Sequence, residues 1–328
     1  MTQFRILGPV EVYDAGTGRR VTPPGVKQRT LLAVLAAEAG RPVTVDRLAD
    51  ELWGEDQPLR SANAVQAHVA RLRRLLDGLD RAGGPGWIGT EPLGYVLRLG
   101  SASTDARTFQ RLSDEGRAAA AADPERAVRL LRRALALWRG PALQDCRCGP
   151  LGEAEAERLE ERRLTALESL YAALLRSGRP EAVAAELERL TDEHPLRESF
   201  YALLIRALDG AGRPAEALSV YERARRRMAH QLGTEPGREL RARRDGLLRR
   251  LPSRSPPPLL PPPPPPRASA PPPDGFSGAA LLDLGSELVR LRQRVEELTR
   301  EQARLRRRCD ELAAAARARA VAPARPMA

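Results

Sequence analysis

Two short stretches, "LLRSGRPEAV" at residues 174–183 and "LDGAGRPAEAL" at 208–218, set Gly178 against Gly212, Arg179 against Arg213 and Pro180 against Pro214, each pair 34 residues apart. Glycine can adopt the left-handed conformation that ends a helix. Proline lacks the N–H that the first turn of a helix leaves unused, so it opens the next one. The Ala and Leu positions that follow give each unit one apolar side that it cannot bury alone, so neighbouring units must stack as paired antiparallel helices. A third segment, "DPERAVRLLRRALALW" at 123–138, follows the same plan with a longer insertion after it. These features restrict residues 101–251 to a TPR-like helical repeat domain.

The first hundred residues read differently. "FRILGPVEVYD" and "RRVTPP" alternate apolar and polar residues between Gly and Pro, as hairpin strands do. "VKQRTLLAVLAAEAG" carries a helical stripe through Leu31, Leu32 and Leu35 and stops at Gly40; "VTVDRLADELWG" offers Thr44 as an N-cap and ends at Gly54. A third helix contains "AVQAHVARLRRLL". On a 100° wheel Val65, Val69, Leu72 and Leu76 share one side, with Ala62 continuing the stripe. The opposite arc holds Arg60, Asn63, Ala67, Ala70, Arg71 and Arg74, with Gln66 and Arg73 on a flank, and no acidic residue lies between Leu59 and Leu76. Small alanines allow close approach to a surface, and Arg, Asn and Gln supply the donors and acceptors that phosphates and base edges require. By itself the pattern also suits a solvated helix face or a membrane-surface helix. After it, "GWIGTEPLGYVLRLG" forms two short strands around a Pro and Gly turn, as a wing does.

Composition bounds the remaining classes. The chain of 328 residues is 42% hydrophobic, enough for two cored domains, and its net charge of +11 favours an acidic partner such as nucleic acid. Of the 54 basic residues only Lys27 is a lysine, so arginine number alone is weak evidence. The start "MTQFRILGPV" lacks a signal-peptide pattern and no apolar run approaches a membrane span, which predicts a cytoplasmic protein with no membrane partner. Cys146 and Cys148 in "DCRCG" do not make a four-ligand zinc site. His68, His194 and His230 sit in no nucleophile, metal or phosphate-loop pattern, so no enzyme activity, cofactor, metal or small-molecule substrate is implied.

Three helices followed by a hairpin, with Phe4, Leu7, Gly8, Leu31, Leu32, "LADELWG", "VQAHVARLRRLL", Gly94 and Tyr95 in order, resemble the winged-helix domain of the Streptomyces antibiotic regulatory protein type, related to response-regulator output domains. The resemblance implies that Asn63, Gln66, Arg71 and Arg74 face the major groove of double-stranded DNA, with Arg60 on the same arc and Arg73, Thr44 and Trp53 near backbone phosphates. His68 borders the apolar side and suits packing as well as a phosphate contact; Trp53 and Tyr95 likewise have a core reading. Arg98 is the only basic wing residue, which leaves Thr90 and Tyr95 as the wing's candidates. Downstream, Asp105, Phe109, "ALALWRGPAL", "RLEERR", "HPLRE" at 194–198, "ALSVYERARRRM" and "LGTEPGREL" resemble the bacterial transcriptional activator domain that follows the winged helix in the same family. Structurally, Trp138 is expected to fill a helix-pair core and Pro195 to start a helix with His194 near its N-cap. The nucleotide-binding module of longer members would need a Gly-rich loop ending in Lys and Ser or Thr, and none is present. No receiver segment with clustered aspartates is found upstream.

The mainly α chain is thus divided into a winged-helix DNA-binding domain at 1–100, a TPR-like activator domain at 101–251, a proline-rich linker at 252–276 and a coiled-coil helix at 277–320. The linker "LPSRSPPPLLPPPPPPRASAPPP" must be extended polyproline. Beyond it Leu284, Leu291, Leu298, Leu305 and Leu312 recur every seven residues, with Leu281, Leu288, Val295, Gln302 and Cys309 at the companion seam positions, as in a dimerising coiled coil. The resulting expectation is a homodimeric transcriptional activator that reads promoter repeats and, by resemblance, recruits RNA polymerase to secondary-metabolite genes. The competing expectation is a protein-binding adaptor that uses its winged helix only for docking.

Overall fold

The computed structural model describes residues 2–79, 86–178 and 180–250. The coiled-coil positions Leu284 to Leu312 and the proline-rich linker lie outside the described residues. Strands β1 (Thr2–Arg5), β2 (Glu11–Asp14) and β3 (Arg19–Val21) form an antiparallel meander, with Phe4 opposite Val12 and Val12 opposite Val21. Then come α1 (Val26–Ala37), β4 (Val43–Thr44), α2 (Val45–Trp53) and α3 (Ser61–Asp77), followed by the hairpin β5 (Ile88–Glu91) and β6 (Gly94–Leu97). Strand β4 pairs with β6 to make a second, three-stranded sheet. Gly94 is required there, because a Cβ at this position would run into the Val43 carbonyl.

Thr44 caps α2 as its type predicts, its hydroxyl accepting from the Arg47 N–H at 3.3 Å. The buried side of α3 is Val65, Val69, Leu72 and Leu76. Ala62 departs from the expected stripe: in the first turn, beyond the reach of α1 and α2, it is exposed.

From Asp105 onward the described elements are helices: α4 (Asp105–Ala119), α5 (Pro124–Leu135), α6 (Pro150–Arg176), α7 (Glu181–Glu193), α8 (Glu198–Gly210), α9 (Pro214–Leu232) and α10 (Arg238–Arg250). Gly178 and Gly212 both take positive φ, 73° and 72°, at the ends of α6 and α8, as the repeated glycine requires. Phe109 packs edge-on against Trp138, centroids 5.5 Å apart. Pro195 does not start a helix. His194 ends α7, two residues bridge, and α8 begins at Glu198 behind Arg197, because the Tyr201 hydroxyl holds the Pro195 carbonyl in the connection.

The boundary at residue 100 is also crossed. Strand β7 (Ser103–Thr104) joins β1 in parallel, so the first sheet runs β3-β2-β1-β7 and its last strand leads directly into α4. At the start of α4 the buried Asp105 carboxylate accepts from the N–H groups of Ile6 and Leu7 at 2.9–3.0 Å, and Arg139 lies 3.5 Å away. In return Glu51 of α2, 4% exposed, accepts from the N–H groups of Gly149, Leu151 and Gly152 at the start of α6. The described residues consequently form one compact unit.

Glu51→Ala should remove the acceptor for three helix-start N–H groups and cost roughly 2–5 kcal/mol in urea denaturation. Gly178→Val has open space around it and should cost only about 1–2 kcal/mol, from backbone conformation alone. A Glu51→Ala loss below that of Gly178→Val would refute the cap's importance.

Candidate nucleic-acid interface

The 3.6-residue period of α3 sorts its side chains cleanly. With the apolar side packed inward, Asn63, Gln66, Ala67, Ala70, Arg71 and Arg74 are exposed together, and Arg60 precedes them at the helix start, also exposed. Arg74 donates only to the Ala70 carbonyl at 3.4 Å, and among the described residues no carboxylate pairs with Arg71 or Arg74. The face is therefore cationic and rich in amides, with two alanines at its centre.

Next to it Trp53, at the end of α2, is half-buried between two basic side chains. The Lys27 ammonium of α1 sits 4.6 Å from the Trp53 ring centroid, and the His68 ring lies 5.9 Å away on the other element. Lys27 was not legible as a site residue: one lysine in the first turn of a helix carries no local pattern, and only the packing of α1 on α3 brings it there. Burial first, then Arg71 and Lys27, push the His68 imidazole below its ordinary pKa of 6.5. Its Nδ1 is buried with no partner among the described residues. A neutral ring packed on Trp53 is what these surroundings favour.

The wing candidates are engaged within the protein. Tyr95 takes its core alternative: it is 6% exposed and pairs with Val43 and Thr90 across the sheet, on the central strand β6, whose four positions are all buried. Thr90 is exposed, but its hydroxyl accepts from Arg73 at 2.8 Å. The same guanidinium donates to the Ile88 carbonyl at 3.0 Å and stands 5.7 Å from the Tyr95 ring centroid. Arg73 thus ties α3 to the hairpin instead of standing free for phosphate. Arg98, the wing's basic residue, is paired with Glu91 at 2.9 Å. The tip instead presents Leu93, 75% exposed, and the approach to α3 presents Leu59, fully exposed. Thr44 is half-buried and committed to its cap.

Other site chemistry is sparse. Among the described residues no group of three His, Cys, Asp or Glu side chains could hold a metal ion, and no helix is long and apolar enough to cross a membrane. The free thiols Cys146 and Cys148 lie beside one another, the Cys146 thiol favouring the Cys148 thiolate and lowering its pKa.

Comparison with known proteins gives matches along both halves. Residues 20–97 match the family described as "Transcriptional regulatory protein, C terminal", and residues 104–248 match "Bacterial transcriptional activator domain". The "Transcriptional regulator RedD" of Streptomyces coelicolor is 43% identical over 250 residues, covering 75% of this chain and 70% of that protein. The "Regulatory protein DnrI" of Streptomyces peucetius is 36% identical over 255 residues, covering 75% and 92%. A solved structure of Mycobacterium tuberculosis EmbR in complex with a low-affinity phosphopeptide superposes with a TM-score of 0.71 at 37% identity, over 76% of this chain and 65% of that one.

Arg73→Ala should lower the stability of the free protein by about 1–2 kcal/mol and speed hydrogen exchange at the Gly89 and Val96 amides, which β5 and β6 pair. Unchanged stability would return Arg73 to the phosphate contacts. The His68 ring should titrate below pH 6.5 by NMR. Its folded form then binds a proton less readily than the unfolded form, so its contribution to stability is present above pH 6.5 and lost as pH falls through the folded midpoint.

Proposed function

The chain belongs to the Streptomyces antibiotic regulatory protein family of transcriptional regulators, DNA-binding activators of gene expression, and from that premise we propose which residues read DNA and how the chain assembles to do so. The observation that carries the reading is the exposed face of α3, where Asn63, Gln66, Arg71 and Arg74 stand together without carboxylate partners among the described residues. Inserted in a major groove, this face sets neutral amides against base edges and guanidinium groups against phosphates or guanine. Arg60 adds charge at its start and Lys27 adds it over Trp53, which with His68 forms the wall beside the face. Thr44 offers its backbone end to phosphate while its hydroxyl caps α2.

The targets in this reading are secondary-metabolite promoters with repeated sites, where the activator half meets RNA polymerase in the cytoplasm. The helix pairs α6 with α7 and α8 with α9 are read as TPR-like, on the strength of the 34-residue spacing and the two left-handed glycines. The proline-rich segment 252–276 serves as a spacer. Leu284, Leu288, Leu291, Val295, Leu298, Gln302, Leu305, Cys309 and Leu312 form the seam of a parallel homodimer in which Glu287 faces Arg292 and Glu301 faces Arg306 of the second copy. The role is regulatory, without a catalytic centre or cofactor.

Arg71→Ala and Arg74→Ala should each weaken binding. A phosphate contact shows as loss on all sequences and a salt slope reduced by about one; a base contact costs ~1–3 kcal/mol at one position. Asn63→Ala and Gln66→Ala should relax sequence preference with little change in salt dependence. Unchanged affinity in all four folded variants would refute the assignment of this face.

For the seam, a short thiol crosslinker should join two chains in a way that Cys309→Ser and Leu298→Pro both abolish. A chain that stays monomeric and uncrosslinked would refute the zipper.

A further inference from the structure

A crevice of about 400 Å³ lies between the end of α1 and helices α4 and α6. Four guanidinium groups line it, Arg41, Arg107, Arg158 and Arg162, against the carboxylates of Glu38 and Glu155. Both carboxylates are already engaged. Glu155 holds Arg158 through two hydrogen bonds at 2.6 and 2.7 Å, and Glu38 stands 4.0 Å from Arg41. Arg107 donates to the Ala39 carbonyl. Arg162 is left with a neutral partner, donating to the Gln110 side-chain oxygen at 2.7 Å. Burial and the adjacent Arg158 push its pKa below the usual guanidinium range, so its charge is held at a disadvantage that a bound anion would relieve.

A second cavity of about 250 Å³ shares Gln110 and Arg162 with the first as a common wall. Phe109, Ser113 and Ala166 line it, and the acidic residue there, Asp114, is paired with Arg117. Ser113 is 7% exposed, and its hydroxyl is buried with no hydrogen-bond partner among the described residues. Native proteins rarely leave such a group unsatisfied. A ligand oxygen in the second cavity would supply the missing partner, and the two cavities adjoin at Gln110 and Arg162.

We propose that this double cavity binds a small organic phosphate, its phosphoryl group on the Arg162 fork and a hydroxyl-bearing remainder directed to Ser113. Planar guanidinium forks match phosphate oxygens in pairs, which favours phosphate over a monovalent anion. The occupant touches the end of α1 on one side and α4 and α6 on the other, so it sits where the DNA-reading half meets the helical half.

The test is calorimetric titration of the full chain with inorganic phosphate and with ribose 5-phosphate at constant ionic strength. Ribose 5-phosphate should bind at least tenfold more tightly than phosphate. Arg162→Gln should weaken both at least tenfold, and Ser113→Ala should retain phosphate while removing the advantage of the sugar. Replacing Arg71 and Arg74 together with alanine should leave both affinities unchanged, which separates this site from the proposed DNA face. Should Arg162→Gln fail to fold, Arg162→Lys keeps the charge without the fork and should still lose affinity. Binding no greater than that of a sodium chloride control, equal affinity for the two probes, or loss confined to the Arg71 and Arg74 variant would overturn the proposal.

Discussion

Two buried carboxylates exchanged across one seam hold the described fold together. Beyond β1 the chain turns at Ile6 and Leu7, whose N–H groups no longer face a strand, and Asp105 accepts from both. The start of α6 has the opposite origin and the same need: the first N–H groups of any helix lack intrahelical partners, and the partial positive charge there favours an anion. Glu51 meets that need from α2. Each half therefore supplies the acid that completes the other's backbone. Desolvating two carboxylates is costly, and it is offset only because several donors converge on each with Arg139 beside Asp105. Separating the halves would leave five backbone N–H groups without their acceptors, which is why the sheet and helices share one compact unit instead of folding as two beads.

That exchange also sets the orientation of the exposed α3 face. Glu51 occupies the same helix whose apolar side, Leu48, Ala49 and Leu52, is buried in the core that receives Val65 and Val69 of α3. Helix α2 is thus pinned on one side by α6 and on the other by α3. Arg73 pins the far end of α3 to the β5–β6 hairpin through Ile88 and Thr90. With both ends held, α3 cannot rotate to hide or present its polar arc without breaking a buried carboxylate cap or the hairpin tie. Control over DNA reading through this half of the chain must then act by shifting the seam itself.

What the sequence disclosed, and what it withheld, follows from the range of each interaction. The face of α3 was legible because a helical period is local, and Thr44, Gly178 and Gly212 were legible because capping and left-handed turns select residue types within a few positions. The two-residue strand β7 has no period to read; it exists because Gln3 and Phe4, a hundred residues away, offer a free strand edge. Tyr95 has the size and hydroxyl of a contact residue, and only the pairing of β6 between β4 and β5 shows that it points into the core. Arg73 differs from Arg71 and Arg74 by a flank position on the wheel, yet that offset carries it to a hairpin 15 residues on in sequence. Pro195 looked like a helix opener by type, and the tertiary hydrogen bond from Tyr201 decided otherwise.

The charge pattern turns on the same distinction between local and tertiary partners. An arginine-rich sequence with a single lysine gives little weight to any one arginine, and half of the described helices hold some of theirs in pairs three or four residues apart, such as Arg111 with Glu115, Arg189 with Glu193 and Arg213 with Glu216. Exposed pairs of this kind stabilise little and mainly cancel charge. Helix α3 departs from that habit along its exposed arc up to the terminal Asp77, since no acidic residue stands between Leu59 and Leu76. The wing's Arg98, by contrast, is cancelled by Glu91. The field on this side of the protein therefore arises from α3 with Lys27 beside it, and the wing contributes shape and the exposed Leu93 instead of charge. It follows that the net charge of +11 is a poor guide to where an anion would bind, and that the unpaired cations are the informative ones.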